Sequence, residues 1–143
     1  MSIEIRLLGP GDEGVLAAVA AGVFDYSIDP QYSAEFLHDP RHHLVVAVDA
    51  GIVVGFASAV HYVHPDKSPE LWINEVGVAP THLRRGLASR LLERLFAVGR
   101  ALGCGEAWVL TDRSNAAAMR LYASCGGSEA PEYQVMFSFD LRE

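Results

Sequence analysis

The chain has 143 residues, half of them apolar and with no biased run, which is the size and composition of one globular domain, residues 1–143. Its formal net charge of −7 argues against nucleic acid or an anionic membrane as partner. No apolar run approaches the roughly 20 residues of a membrane span. The first residues lack a signal peptide's basic start and apolar core, and the two cysteines, Cys104 and Cys125, fit no zinc or redox spacing. A reduced, cytoplasmic setting is therefore expected.

Ile3 to Leu8 alternates apolar and polar residues and reads as a strand, stopped by Gly9-Pro10-Gly11. Asp12 is placed to cap a helix reaching about Phe24, with Val15, Leu16, Val19 and Val23 on one face. The looser stretch Asp25 to Pro30 and a short helix over Ser33–Leu37 suit a substrate lid or wall. Leu44–Val48 and Ile52–Tyr62 read as strands of a hairpin around Asp49-Ala50-Gly51, and Glu70–Val78 as the next strand. A helix over Gly86–Leu102 buries Leu87, Leu91, Leu95, Val98 and Leu102. A short strand Glu106–Thr111, a helix Asn115–Ser124 and a final strand Val135–Leu141 complete an α/β domain with a mixed sheet.

The densest chemistry lies between Glu75 and Ser89. Gly86 lets the backbone approach a ligand closely, and Leu87, Ala88 and Ser89 offer first-turn N–H groups. Arg84 and Arg85 add charge-assisted hydrogen bonds suited to phosphate oxygens. A plain helix start after a polar turn is the competing reading of these residues.

Leu83-Arg84-Arg85-Gly86-Leu87-Ala88 resembles the acetyl-CoA pyrophosphate motif of the GNAT superfamily of N-acetyltransferases, Gln/Arg-x-x-Gly-x-Gly/Ala. Val78-Ala79-Pro80 is similar to the family's strand-end Val-x-Pro. Asn115 to Tyr122 is similar to its Asn-x-x-Ala-x-x-Leu-Tyr helix, and Val53-Val54-Gly55-Phe56 resembles its third strand. Leu83 stands where Arg or Gln is usual, and Gly127 where Phe commonly follows the glycine after the tyrosine helix. The resemblance implies a GNAT fold, with a central mixed, mostly antiparallel sheet flanked by about four helices. It also implies acetyl-CoA as cosubstrate. Val76 and Val78 would pair their backbones with the pantetheine arm, Asn115 would hydrogen-bond that arm, and Tyr122 would protonate the departing thiolate.

A phenol of pKa about 10 can protonate a thiolate whose conjugate acid has pKa about 8.5. The bland alternative for Tyr122 is a core aromatic on a helix that also carries Met119 and Leu121. Attack on a thioester needs an uncharged amine, so a base is required. Glu75 is the candidate. On an unbulged strand it shares a face with Leu71, Ile73 and Gly77, whose apolar surroundings would raise its pKa. A bulge near Gly77 would reverse that assignment.

Within the superfamily, the chain is most similar to the type I aminoglycoside 3-N-acetyltransferases, through Arg6 to Pro10, Glu70 to Glu75, Leu83 to Ala88 and Ser138 to Leu141. There the acid at the Glu75 position is Asp, and a Tyr stands where this chain has Asn74. The expected reaction is acetyl transfer to a primary amine of a small cationic acceptor, with Tyr26, Asp29, Glu75 and Asp112 as substrate-site candidates. Asp112 has a capping or turn role before Asn115 as its alternative. Acetylation of peptide or protein amines, or a non-catalytic acyl-CoA-binding module, are the rival functions. His38, His42 and His43, and likewise His61 and His64, lack carboxylates in a metal spacing, so no metal is expected. The apolar stretch Met136–Leu141 offers material for a homodimer interface.

Overall fold

The computed structural model describes residues 2–142. Five strands form one sheet in the order β1-β2-β3-β4-β5, with β1 over Glu4–Leu8, β2 over His42–Asp49, β3 over Ile52–Tyr62, β4 over Glu70–Val78 and β5 over Glu106–Val109. The first four are antiparallel neighbours, and only β4–β5 is parallel. A parallel pair needs a crossover, and helix α2, Leu87–Ala101, supplies it. The other helices are α1, Pro30–His38, and α3, Ala116–Ser124. Two short 3-10 turns, at Glu13–Ala17 and Pro80–His82, join the three helices. None of the described helices is long and apolar enough to cross a membrane.

The β2–β3 hairpin closes through Ala50 and Gly51, both at positive φ (50° and 80°). That is the backbone twist a tight two-residue hairpin demands. Helix α2 buries Leu87, Leu91, Leu92, Leu95, Val98 and Gly99 against one face of the sheet. A methyl on Gly55 would stand 3.3 Å from Leu91, and one on Gly99 3.1 Å from Leu71. The helix therefore lies close to β3 and β4. Beneath it sit Val45, Ala47, Ala57, Ala59, Leu71 and Ile73, all buried.

The sequence reading needs two corrections here. No helix runs from Asp12 to Phe24. Only the 3-10 turn Glu13–Ala17 forms, because the Asp12 carboxylate turns back to accept from the Gly9 N–H at 2.8 Å and caps no helix. Residues 18–20 then run extended beside β3, exchanging hydrogen bonds between Ala18, Ala20 and Val53. Nor does Val135–Leu141 form a strand. It is irregular, with Val135, Met136, Phe137, Phe139 and Leu141 all exposed. Period-two alternation is present, but no neighbouring strand supplies the ladder hydrogen bonds that would fix it.

His43 lies at the start of β2 at 8% exposure, its Nε2 2.8 Å from His61 Nδ1 on β3. Burial foremost, then the neighbouring His61 and His42, press its pKa down to about 4. An unfolded histidine titrates near 6.5, so between these values the unfolded chain binds the proton and the folded chain does not. Stability is complete above pH 6.5 and falls as pH drops towards 4, by up to about 1.4 kcal/mol per unit. Urea midpoints measured from pH 7 to 4.5 should decline over that window, and His43→Gln should flatten the decline. An unchanged slope in the variant would assign the effect elsewhere.

Candidate active site

Strand β4 is the spine of the site. Its pairing with β5 runs from Glu70↔Glu106 to Ile73↔Val109 and stops. Its pairing with β3 continues to Gly55↔Val78. Asn74 to Val78 therefore keep one backbone edge free of β5. Such an edge is a template for an extended ligand, and Val76 and Val78 lie along it.

The register also contains a bulge. Ser58 faces Glu75 while the next residue, Ala59, faces Ile73, so Asn74 is the extra residue. The insertion puts Glu75 on the face of Ser58, Phe56 and Gly77, opposite to Leu71 and Ile73. The expected apolar setting for Glu75 is thus overturned: its side chain is exposed on the face away from α2. On that face Phe24 stacks on Phe56 with ring centroids 4.0 Å apart. The chain at Val23 passes so low over β4 that a methyl on Gly77 would stand 2.5 Å from the Val23 carbonyl oxygen.

Beyond β4, the chain turns through Pro80–His82 into Leu83-Arg84-Arg85-Gly86 and α2. Arg84 (φ 63°) and Gly86 (φ 72°) are both left-handed. Left-handed residues set among ordinary ones are how backbone N–H groups form an anion-binding nest. No side chain caps α2, so its first-turn donors at Leu87, Ala88 and Ser89 are not spent on a cap. A cleft of about 370 Å³ opens there. Arg84, Gly86, Leu87, Ala88 and Ser89 line it from the turn, and Ala117, Arg120, Leu121 and Ser124 from α3. Arg85 is exposed beside it.

Three contributors to this cleft, Arg120, Ser124 and His82, are not among the residues expected from the sequence. Arg120 and Ser124 share a helix face with Ala117 and Leu121, a spacing visible once α3 is known to face the turn. His82 donates from Nε2 to the Asp49 carboxylate over 2.7 Å and shares a hydrogen bond from Nδ1 with Thr81 Oγ1 over 2.8 Å, tying the turn to the β2–β3 hairpin. Asp49 and His82 are 33 residues apart, and no local pattern links them.

Asn115 caps α3 by accepting from the Ala118 N–H at 3.1 Å, which leaves its amide donors for other partners. Tyr122 is half-buried against the core, and burial, then Cys125, raises its pKa. Its phenol accordingly holds its proton. Asp29 accepts from the Gln31 and Tyr32 N–H groups as the N-cap of α1. Asp112 is exposed, with its backbone carbonyl accepting from Asn115. Tyr26 is exposed at the lip of a larger cleft, about 650 Å³, under residues 13–33. Neither cleft is lined by Glu75, Asp29, Asp112 or Tyr122. Among the described residues, no group of three or more His, Cys, Asp or Glu side chains is placed to hold a metal ion. His38, His42 and His64 each pair with one carboxylate, Glu13, Asp39 and Glu70.

A left-handed arginine–glycine turn at the head of a crossover helix thus lies next to a strand edge released from its neighbour. The acetyltransferase (GNAT) family model matches residues 16–127, and the chain belongs to that family. It is 27% identical to an uncharacterized N-acetyltransferase of Mycobacterium tuberculosis (strain ATCC 25618 / H37Rv), over 80% of this chain and 82% of that one. An aminoglycoside acetyltransferase from an uncultured soil metagenomic sample superposes with a TM-score of 0.76 at 26% identity, covering 96% of this chain and all of that one. The aminoglycoside N-acetyltransferase AAC(6')-Iy, solved with the bisubstrate analogue CoA-S-monomethyl-acetylneamine, superposes with a TM-score of 0.80 at 22% identity, covering 98% and 99%. The protein is an N-acetyltransferase. Its aminoglycoside-modifying neighbours include a 6'-enzyme and do not single out the 3-N type.

Gly77→Ala should cost about 1–3 kcal/mol, because the Val23 segment must lift to admit the methyl. Gly14→Ala, with nothing within 4 Å, is the neutral control. Thermal melts of the two variants check this, and equal melting temperatures would mean that the segment does not press on β4.

Proposed function

We propose that this enzyme transfers the acetyl group of acetyl-CoA directly to a primary amine of a small cationic, aminoglycoside-like acceptor. The observation that carries the proposal is the free β4 edge at Asn74–Val78, flanked by Glu75 at one end and the phosphate turn at the other. Backbone groups of Val76 and Val78 would hold the pantetheine arm as an added strand, and the Asn115 amide would donate to it. Arg84, Arg85 and the N–H groups of Gly86, Leu87, Ala88 and Ser89 would hold the pyrophosphate.

Glu75 would take a proton from the acceptor ammonium, directly or through water. The amine lone pair then attacks the thioester carbonyl, the C–S bond breaks, and Tyr122 gives its proton to the thiolate, while the second proton lost by the nitrogen passes to water and the tyrosine is reprotonated from solvent. The raised pKa of Tyr122 supports the acid role, since the phenol enters the reaction protonated. Exposure of Glu75 supports a base reached by a hydrophilic acceptor. Tyr26, Asp29 and Asp112 would add polar contacts around the acceptor, with Asp29 doing so while capping α1. The product's acetylation site decides the regiochemistry. The exposed apolar run Val135–Leu141 supports assembly as a homodimer.

A thiol-release screen with acetyl-CoA should give turnover with aminoglycosides. Turnover with peptides alone would overturn the acceptor class, and tightly retained acetyl-CoA without turnover on any amine would indicate a binding module. Tyr122→Phe should lower kcat roughly 10²-fold or more while changing acetyl-CoA affinity less than about twofold. Equal effects on both would remove the acid role.

A further inference from the structure

The chain has two tryptophans, and they form one stacked pair. Trp72 on β4 faces Trp108 on β5 in register, with ring centroids 4.8 Å apart and planes 12° from parallel. Both stay half-exposed, whereas Leu71 and Ile73 on either side of Trp72 are buried on the α2 face. The indoles therefore occupy the opposite face. That is also the face of Glu75, because Trp72 stands opposite Val60 and Glu75 opposite Ser58, two residues along β3. One strand repeat of about 7 Å separates them along the sheet.

The pair is held from behind. The Trp108 Nε1–H donates to the Tyr62 hydroxyl at 3.0 Å. The Tyr62 ring meets the edge of His64, 5.1 Å away at 70°, and His64 Nε2 lies 2.6 Å from a Glu70 carboxylate oxygen. Half-exposed aromatic rings locked by a chain of side-chain contacts are a preorganised surface, not a loose apolar patch. Around them the face is acidic: Glu70, Glu75 and Glu106 share it by register. Glu75 and Glu106 have no basic side chain within ion-pair distance among the described residues.

We infer that Trp72 and Trp108 form an acceptor subsite beside Glu75, which takes a polycationic ring amine (an amino sugar or aminocyclitol) by stacking its apolar ring face while the carboxylates meet its ammonium groups. This inference rests on Glu75 as the base of the proposed reaction. A flat π surface favours a ring's C–H face and any cation above it. An acyclic polyamine of the same charge satisfies the carboxylates but gains little from the indoles. The subsite consequently selects on ring shape as well as charge.

Because the two indoles are the only tryptophans, intrinsic fluorescence reads the subsite directly. Titration of the full-length protein with sisomicin should change tryptophan emission saturably, and spermidine should change it much less. Trp72→Leu should raise the sisomicin KM roughly tenfold, leave the acetyl-CoA KM within about twofold, and leave kcat little changed. Trp72→Phe should recover most of the loss, which separates ring stacking from mere packing. Turnover of sisomicin without any change in emission would overturn the subsite, as would equal emission changes with spermidine. Emission that shifts on deletion of residues 133–142 and is then insensitive to sisomicin would show the chain's own tail as the occupant, and also overturn it. Saturable emission without thiol release would keep the subsite and instead sink the proposed reaction.

Discussion

Everything at the site depends on β4 losing one neighbour halfway along its length. Between Glu70 and Ile73 the strand is paired on both sides, and beyond Ile73 only β3 remains. A β4 paired throughout would be a closed sheet with no backbone donors or acceptors to spare. A β4 unpaired throughout would lack the rigidity to hold a ligand in register. The half-released strand gives a fixed edge about five residues long, and α2 begins from the turn that follows it. The backbone thus presents an extended edge and then a set of helix N-terminal donors in sequence, which matches a ligand that is a polar arm ending in phosphates.

The bulge at Asn74 decides which face of the sheet Glu75 occupies. Without it, Glu75 would follow Ile73 beneath α2, where an ionised carboxylate lacks water and partners. With it, the acid faces the open side, over which the 23–24 segment passes and on which Trp72 and Trp108 stack. Gly77 and Phe56 fit this arrangement: a side chain at 77 would collide with the Val23 carbonyl. The same extra residue that weakens the ladder makes the strand useful.

The parts of this design differ in how legible they are from residues alone. Strands β3 and β4 have the bounds expected of them, since long β-rich runs ended by Gly and Pro leave little ambiguity. Helix α2 is legible from its apolar stripe, of which all but the exposed Leu102 are buried, and Gly86 from the close backbone approach it allows, though not its left-handed φ. A bulge near Gly77 is the alternative the residues leave open for Glu75, but its place at Asn74 is not legible in them. Alternation in Trp72-Ile73-Asn74-Glu75 is equally consistent with either register until β3 is laid beside it. The segment after Asp12 failed for another reason. Its apolar spacing fits a helix, but Val19 and Val23 serve an extended path over the sheet, and Asp12 caps the preceding turn at Gly9. At the other end, Val135–Leu141 carries a clear strand pattern without a strand, because a pattern names a face to be buried and not the partner that buries it.

Donor and acceptor recognition rest on different kinds of group, and that explains why Leu83 matters less than its position suggests. In the proposed site a pyrophosphate would be met mainly by N–H groups whose placement follows from chain path, and a leucine at 83 leaves the left-handed turn of Arg84 to Gly86 and the uncapped helix start in place. Arg120, reaching the same cleft from α3, keeps a cation near the vacated position. The proposed acceptor site has no such backbone frame: the groups assigned to it are side chains of β4, β5 and the 13–33 segment, which chain path alone does not specify. A family motif therefore carries the donor with it. The acceptor has to be read from Glu75, Trp72 and Trp108 as they stand in this chain.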